Sequence, residues 1–374
     1  MTGPRWSARL LVALTAVVLV AGCASSKPKP QPLDPLTPKI GGSVAWTQRL
    51  DGVKFPLAVA VTKGVFTVAG NDGTVLALEA ETGREVWRGN AGAKLSAGVG
   101  SDGRFAAVVT REGELVVFEQ GKVVWRKALG VRVTTAPLVA GERVFVLGVD
   151  RAVNAFDALD GRKLWTLQRA GDPLTLAQAG VLAAFKDTLV VGQGPRLAGV
   201  DPLRGNVRWD TAVGSPRGAN EIERLADLVG PLSRVGDVVC TRSFQAAVGC
   251  VNAERGTTVW SKNIGGTDAV AADEQFVVAA DASDRITAWK TPSGEVAWTT
   301  DKLQYRSLSS PLSIGKTVVF GDADGTVHWL ARDTGEAQLR LNTDGSAIVA
   351  APVVSGTTML VVTSKGGLFA FRPQ

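Results

Sequence analysis

Along most of the chain apolar and polar residues alternate in short runs with a period of two, where a helix would show 3.6. Val65-Phe66-Thr67-Val68 is one such run, and Thr74-Val75-Leu76-Ala77-Leu78 returns after Asn71-Asp72-Gly73. Asn, Asp and Gly tolerate positive φ, so this order predicts a β-hairpin. Similar turn chemistry recurs at Arg111-Glu112-Gly113, Asp322-Ala323-Asp324-Gly325 and Lys365-Gly366-Gly367. A second turn, Glu81-Thr82-Gly83 or Asp333-Thr334-Gly335, leads into one more short strand.

A longer period overlies the short one. Glycine stands four residues before tryptophan in Gly42 and Trp46, Gly83 and Trp87, Gly121 and Trp125, Gly161 and Trp165, Gly205 and Trp209, Gly256 and Trp260, and Gly294 and Trp298. An eighth copy pairs Gly335 with Leu339. Successive marks fall 38 to 51 residues apart, close to the length of a four-stranded propeller blade. Eight marks predict an all-β fold, an eight-bladed β-propeller of four-stranded antiparallel blades. Ser43 to Trp46 reads as a fourth strand without its first three, and Ala351 to Arg372 as three strands without a fourth. Joined in one blade, the N- and C-terminal strands shut the ring and leave no open sheet edge there. The tryptophans could be a carbohydrate-binding or cofactor-stacking set, but a fixed place in every unit predicts packing between neighbouring blades.

The N-terminus breaks this pattern. Arg5 and Arg9 precede an apolar run from Leu10 to Ala21, the length of a signal-peptide core and too short to span a bilayer as a mature helix. It ends in Val20-Ala21-Gly22-Cys23, which resembles the lipobox of bacterial lipoproteins, where the cysteine becomes the acylated first residue. Ala24 in place of Asp implies sorting to the outer membrane. An ordinary cleaved signal with a chance cysteine is the alternative. Ala24 to Lys39, rich in Ser, Lys and Pro, predicts a flexible tether. The expected organisation is a signal peptide over 1–22, lipidated Cys23 and tether over 23–39, and the propeller over 40–374.

Composition removes several kinds of chemistry. The formal charge is +6, or +4 without Arg5 and Arg9, and the basic residues are spread singly, so no nucleic-acid partner is expected. His328 and Tyr305 are the only residues of their types, which leaves little for acid and base catalysis. His328 is expected to be a half-buried strand residue, and no catalytic residue, metal site or cofactor is predicted. Cys240 and Cys250 flank an expected hairpin turn near Phe244 and Gln245, which predicts a structural disulfide; two buried thiols are the alternative. Asp322-Ala323-Asp324-Gly325 opens like an EF-hand loop, but Val327 occupies the required glycine position, so a hairpin turn is expected. No glycine-rich stretch has the phosphate-cradling form.

The unit with Ala77-Leu78-Glu79, Thr82-Gly83 and Val86-Trp87 resembles the repeat of pyrroloquinoline quinone dehydrogenases. That resemblance implies, as a second reading, a quinoprotein oxidoreductase or a small-ligand binder. Those enzymes need calcium-ligating carboxylates, a catalytic Asp and usually adjacent cysteines, and this chain has no Cys-Cys pair. From the lipobox to Arg372 the chain also resembles the BamB family, the lipoproteins of the β-barrel assembly machinery. Glu221-Ile222-Glu223-Arg224-Leu225-Ala226-Asp227-Leu228 is similar to its acidic interblade loop, Leu174-Thr175-Leu176 to its leucine-rich loop, and Gly321-Asp322 with His328-Trp329 to a late blade. Ala177 stands where that family often has Arg, and Val229 where a further acid is usual.

This resemblance implies a non-enzymatic scaffold at the periplasmic face of the outer membrane. It would dock on a periplasmic POTRA domain of BamA and assist barrel proteins to fold and insert, with unfolded clients as further partners. Repeat lengths lead to the same two loops independently, because the longest intervals, 44 and 51 residues, contain Leu174 and Glu221, and surplus length in a repeat goes to surface connections. Leu174 and Leu176 are expected as apolar anchors, with Glu221, Glu223, Arg224 and Asp227 as a charged rim. Solvated loops without a partner are the alternative.

Overall fold

The computed structural model describes residues 28–169 and 174–374. The expected signal segment and Cys23 lie outside the described residues. Residues 28–30, the described end of a separate N-terminal unit, have no regular secondary structure.

Residues 31–374 form the second unit, in which strands group into eight four-stranded antiparallel sheets. Blades 1 to 7 take consecutive strands over residues 60–90, 100–128, 138–167, 182–212, 228–262, 271–300 and 312–342. Blade 8 takes its three inner strands from residues 353–373 and its outer strand, Gly42–Arg49, from the other end of the chain. Gly42 pairs with Pro373 and Arg49 with Gly367, the closure expected from the two partial units. The fold is an eight-bladed β-propeller.

Strand alternation gives the disc two distinct faces. On one, here the hairpin face, lie the turns between second and third strands, such as Asn71–Gly73, and every connection between blades. The other carries the remaining turns, such as Lys63-Gly64 and Glu81–Gly83. The core is a ring of clusters between blades. Phe105, Val109 and Val117 of blade 2 pack on Val144, Val146 and Phe156 of blade 3, all buried, and comparable clusters join other neighbours.

The glycine and tryptophan marks serve this packing. Gly83, Gly161, Gly205, Gly256, Gly294 and Gly335 all have positive φ, and a Cβ on any of them would run into the indole of the preceding blade. Trp46 Nε1 donates to Ala80 O at 3.0 Å, Trp125 to Ala158 O at 2.8 Å, Trp165 to Pro202 O at 3.0 Å, Trp260 to Thr291 O at 2.7 Å and Trp298 to Arg332 O at 2.7 Å. Each indole thus buries its body between blades and satisfies its single donor on the next blade's turn. Trp87 packs instead into the cluster of Ala69, Leu95 and Val116. Leu339 breaks the series for a physical reason, since blade 8 is where the chain ends meet and has no outer turn to receive an indole. Across the sheet the volume is restored: residues opposite the marked tryptophans are small or medium-sized, such as Ala77, Ala155 and Gly199, whereas Leu339 faces Trp329.

The expected tether differs from what is found over its second half. Gln31 N donates to Gln304 O at 2.9 Å and Lys39 N to Gln338 O at 2.8 Å, and Leu33 packs against the cluster of Leu303, Leu308 and Phe320. Composition correctly marks a segment with no core of its own, but a neighbouring blade supplies one.

Candidate functional site

The two overlong connections join blades 3 and 4 over 168–181 and blades 4 and 5 over 213–227, and their described residues, 168–169, 174–181 and 213–227, lie on the hairpin face. Three hairpins hold them. Thr175 Oγ1 donates to Val149 O at 3.1 Å, Leu228 N to Gly194 O at 2.9 Å, Phe244 N to Asp227 O at 2.9 Å and Ser243 Oγ to Ala226 O at 2.7 Å.

Asp227 joins one loop to the other. Its Oδ2 accepts from Leu176 N at 3.1 Å and its Oδ1 from Arg151 Nη2 at 3.1 Å. Arg151 Nη2 also donates to Leu174 O at 3.2 Å. Both charged side chains are only 15% exposed. Arg151 sits at φ 63° in the blade 3 hairpin, held by Gln193 Nε2 donating to its carbonyl at 2.8 Å. Asp227, expected as a rim charge, has both carboxylate oxygens engaged in fastening the loops.

The other expected residues divide between surface and support. Leu174 is exposed, while Leu176 is half-buried with its amide held by Asp227. Glu221 and Arg224 are exposed. Glu223 is exposed too, but its Oε2 accepts from Ala219 N at 2.8 Å and its own N–H donates to Asn220 Oδ1 at 2.9 Å, so it stabilises the turn. That turn presents Ile222, 74% exposed, an apolar tip the sequence reading did not single out. A notch of about 170 Å³ bordered by Leu174, Glu221, Arg224 and Arg169 separates the loops. Arg169 and Arg196 both donate to Asp210. Burial pushes the Asp210 carboxyl up, and the two guanidinium bonds outweigh it and hold the group below its ordinary value.

A second concavity opens at the ring centre on the same face, about 500 Å³ in volume, and Asp268, Asp281 and Asp284 line it. Burial raises the carboxyls of Asp268 and Asp284. Both have structural partners: Thr267 Oγ1 donates to Asp268 at 2.7 Å, while Ser307 N and Leu308 N donate to Asp284 at 2.7 and 3.1 Å. Arg242, fully buried nearby, donates to the carbonyls of Asp268, Ile264 and Ala280, and burial lowers it to about 10. Among the described residues no group of three or more His, Cys, Asp or Glu is placed to hold a metal.

Cys240 and Cys250 are directly opposite on adjacent strands of blade 5 and joined as a disulfide. They lie in the cluster of Val248, Trp260 and Trp289, away from the central concavity. His328, expected half-buried, is fully buried at 1% exposure. Its Nε2 is 2.9 Å from Asp322 Oδ2, which also accepts from Arg306 Nε at 2.8 Å. An ionised Asp322 makes Nε2 the protonated nitrogen. Burial lowers the His328 imidazole, against the upward pull of Asp322. Asp322 Oδ1 accepts from Asp324 N and Thr326 N within a hairpin turn.

Comparison with known proteins places this geometry. The model of the family described as outer membrane protein assembly factor BamB matches residues 39–88 and 71–300. The chain is 37% identical to the BamB of Burkholderia pseudomallei, covering 97% of each chain, and 32% identical to that of Bordetella pertussis, covering 99% of this chain and 98% of the relative. The crystal structure of BamB from Moraxella catarrhalis superposes with a TM-score of 0.80 at 23% identity, over 88% of this chain and 99% of that one. The quinohemoprotein alcohol dehydrogenase of Comamonas testosteroni shares the fold with a TM-score of 0.68 at 16% identity, over 89% and 76%. The chain belongs to the BamB family of outer membrane protein assembly factors.

Proposed function

We propose that this protein is a non-enzymatic scaffold subunit of the outer-membrane β-barrel assembly machinery. It is anchored by acyl chains on Cys23 at the periplasmic face and docks through its two long loops on a periplasmic POTRA domain of BamA. In this role it assists barrel proteins to fold and insert. One observation carries the reading: two connections from different blade junctions are fastened into a single surface by Asp227. Leu174 and Ile222 are left outward as apolar anchors, with Glu221 and Arg224 beside them to fix orientation. Family membership supports the partner, since the relatives are named for outer membrane protein assembly.

Capture of the BamA periplasmic domains by the intact protein and by a Leu174→Ala, Ile222→Ala variant tests it. Each truncated anchor is worth roughly 1–2 kcal/mol at a buried interface, so affinity should fall by about 30-fold or more, with the thermal melt unchanged. Equal capture by a folded variant removes these loops from the interface.

The shared fold of the alcohol dehydrogenases motivates the quinoprotein reading. The residues present do not fit that cofactor: Asp268 and Asp284 are occupied by loop hydrogen bonds, and the cysteine pair lies in a blade core instead of at the funnel. Incubation with quinone and calcium should give neither a bound visible chromophore nor dye-linked alcohol oxidation.

A further inference from the structure

Residues 31–39 lie as a strap beside the outer strand of blade 7, Ala337–Asn342. Lys39 N donates to Gln338 O at 2.8 Å and Arg340 Nη1 to Asp34 O at 2.6 Å. The strap and the edges of blades 6 and 7 border a pocket of about 390 Å³, with Leu36, Leu303 and Leu330 among its walls. Three cations and two carboxylates line it. Lys302 pairs with Asp34 at 3.2 Å and Lys39 with Glu336 at 2.9 Å. Arg340 is the cation left over: Nη1 is spent on a carbonyl, and its buried Nε has no hydrogen-bond partner among the described residues. His328 stands directly opposite Arg340 across the sheet, is 1% exposed and lines the same pocket. Its Nε2 faces Asp322, while its buried Nδ1 has no partner among the described residues. Buried polar atoms without a partner are costly and uncommon, and here two belong to opposed residues of one pocket.

We propose that this pocket binds a small free monocarboxylic acid, its carboxyl group between Arg340 Nε and His328 Nδ1 and a short hydrocarbon body against Leu36, Leu303 and Leu330. One negative charge balances the one unpaired guanidinium, and the planar group suits the Nε edge of its fork. The apolar walls favour a hydrocarbon body over a bare inorganic anion. Ionised Asp322 keeps the imidazole proton on Nε2, so Nδ1 presents a lone pair. That lone pair repels an ionised carboxylate, and the complex therefore takes up one proton from solvent, held between the carboxyl oxygen and Nδ1. The charges facing His328 set the sign. Burial lowers the imidazole, Asp322 of its own hairpin raises it, and Arg340 of the outer strand and Arg306 from the connection out of blade 6 lower it. Asp324 is held by Arg306, and across the pocket Asp34, Lys302, Lys39 and Glu336 are paired off. A bound carboxylate offsets Arg340 and favours the protonated pair, so affinity rises as pH falls, by up to about tenfold per pH unit.

Hexanoate is the probe, titrated calorimetrically into the full chain in lipid nanodiscs, purified without a histidine tag, with protein-free nanodiscs giving the partition background. Saturable binding of one hexanoate per chain is expected. Titration in two buffers of different ionisation heat should show uptake of about one proton at pH 7.5, and affinity should strengthen toward pH 6.5. His328 is the only histidine in the chain, so nitrogen spectra of histidine-labelled protein report on it alone, and hexanoate should move the bare Nδ1 resonance toward its protonated position. Arg340→Gln should weaken binding by about tenfold or more, and His328→Gln should leave a weaker binding that no longer varies with pH. Hexanol, which lacks the charge, and inorganic phosphate, which lacks the hydrocarbon body, should each bind about tenfold more weakly or worse. Partition heat alone, an Nδ1 that does not respond, or equal affinity in a folded Arg340→Gln variant overturns the site. Phosphate binding as tightly as hexanoate overturns the ligand class. Should Arg340→Gln fail to fold, proton uptake and the Nδ1 response of the unaltered protein decide the matter by themselves.

Discussion

Asp227→Asn separates a fastening role from a contact role. Its carboxylate accepts from Leu176 N and from Arg151, each at 3.1 Å. A neutral amide keeps the shape, but only one of its two heads accepts. Losing a hydrogen bond to a charged group costs about 1.5–3 kcal/mol, and leaving a buried donor unpaired about 1–3. With Asp227 and Arg151 each 15% exposed, water relieves part of both, and the net loss is about 2 kcal/mol in the closure of the two loops. That is roughly a 30-fold rise in the open population, seen as faster hydrogen exchange at the Leu176 amide. The global unfolding transition should hardly move, since these loops add little to the interblade core. Affinity for the partner should drop only as far as the closed fraction drops. If the variant loses binding while exchange at Leu176 stays slow, Asp227 touches the partner directly and the fastening argument is wrong. Unchanged exchange with unchanged binding would show the two bonds to be idle.

Other consequences follow from the packing. Leu339→Trp restores the repeat pattern but should destabilise by about 1–3 kcal/mol in chemical denaturation, because Trp329 already fills the pair and Leu339 presses on Gly42; a stabilised variant would refute this. Trp298→Ala should cost about 3–5 kcal/mol, more than Trp298→Phe, which loses chiefly the bond to Arg332 O; equal losses would mean the indole body contributes nothing. His328 is lowered by burial when folded, so the unfolded chain binds a proton near pH 6.5 that the native state excludes. Stability should therefore be full above about pH 6.5 and decline below it, by up to about 1.4 kcal/mol per pH unit, until the folded imidazole titrates. Denaturation of His328→Gln at pH 7.5 and 5.5 should show a flatter dependence, and an identical slope would exclude His328 as the source.

What could be read from the chain and what could not depends on how far apart the interacting residues are. Gly83 and Trp87 are near neighbours and recur around the ring, so repetition alone reveals the blade, its length and the closure of the ring. The exception at Leu339 was visible too, but its cause was not, because the compensating Trp329 lies across a sheet and the missing turn belongs to the next blade. Surplus length points to both loops, but the bonds that hold them together are invisible in it, because residues far along the chain make them. Asp227 reads as one more acid in an acidic stretch until Arg151, 76 residues away, is seen to claim it. Ile222 has a usable signal of its own, an apolar residue between two glutamates in a long connection. The strap hides for the same reason. Residues 31–39 have the composition of disordered chain, and what orders them comes from Gln304, Arg306, Gln338 and Arg340, far along the sequence. Local pattern thus encodes the scaffold, whereas the fastening of the two loops and the docking of residues 31–39 are long-range pairings of ordinary polar residues.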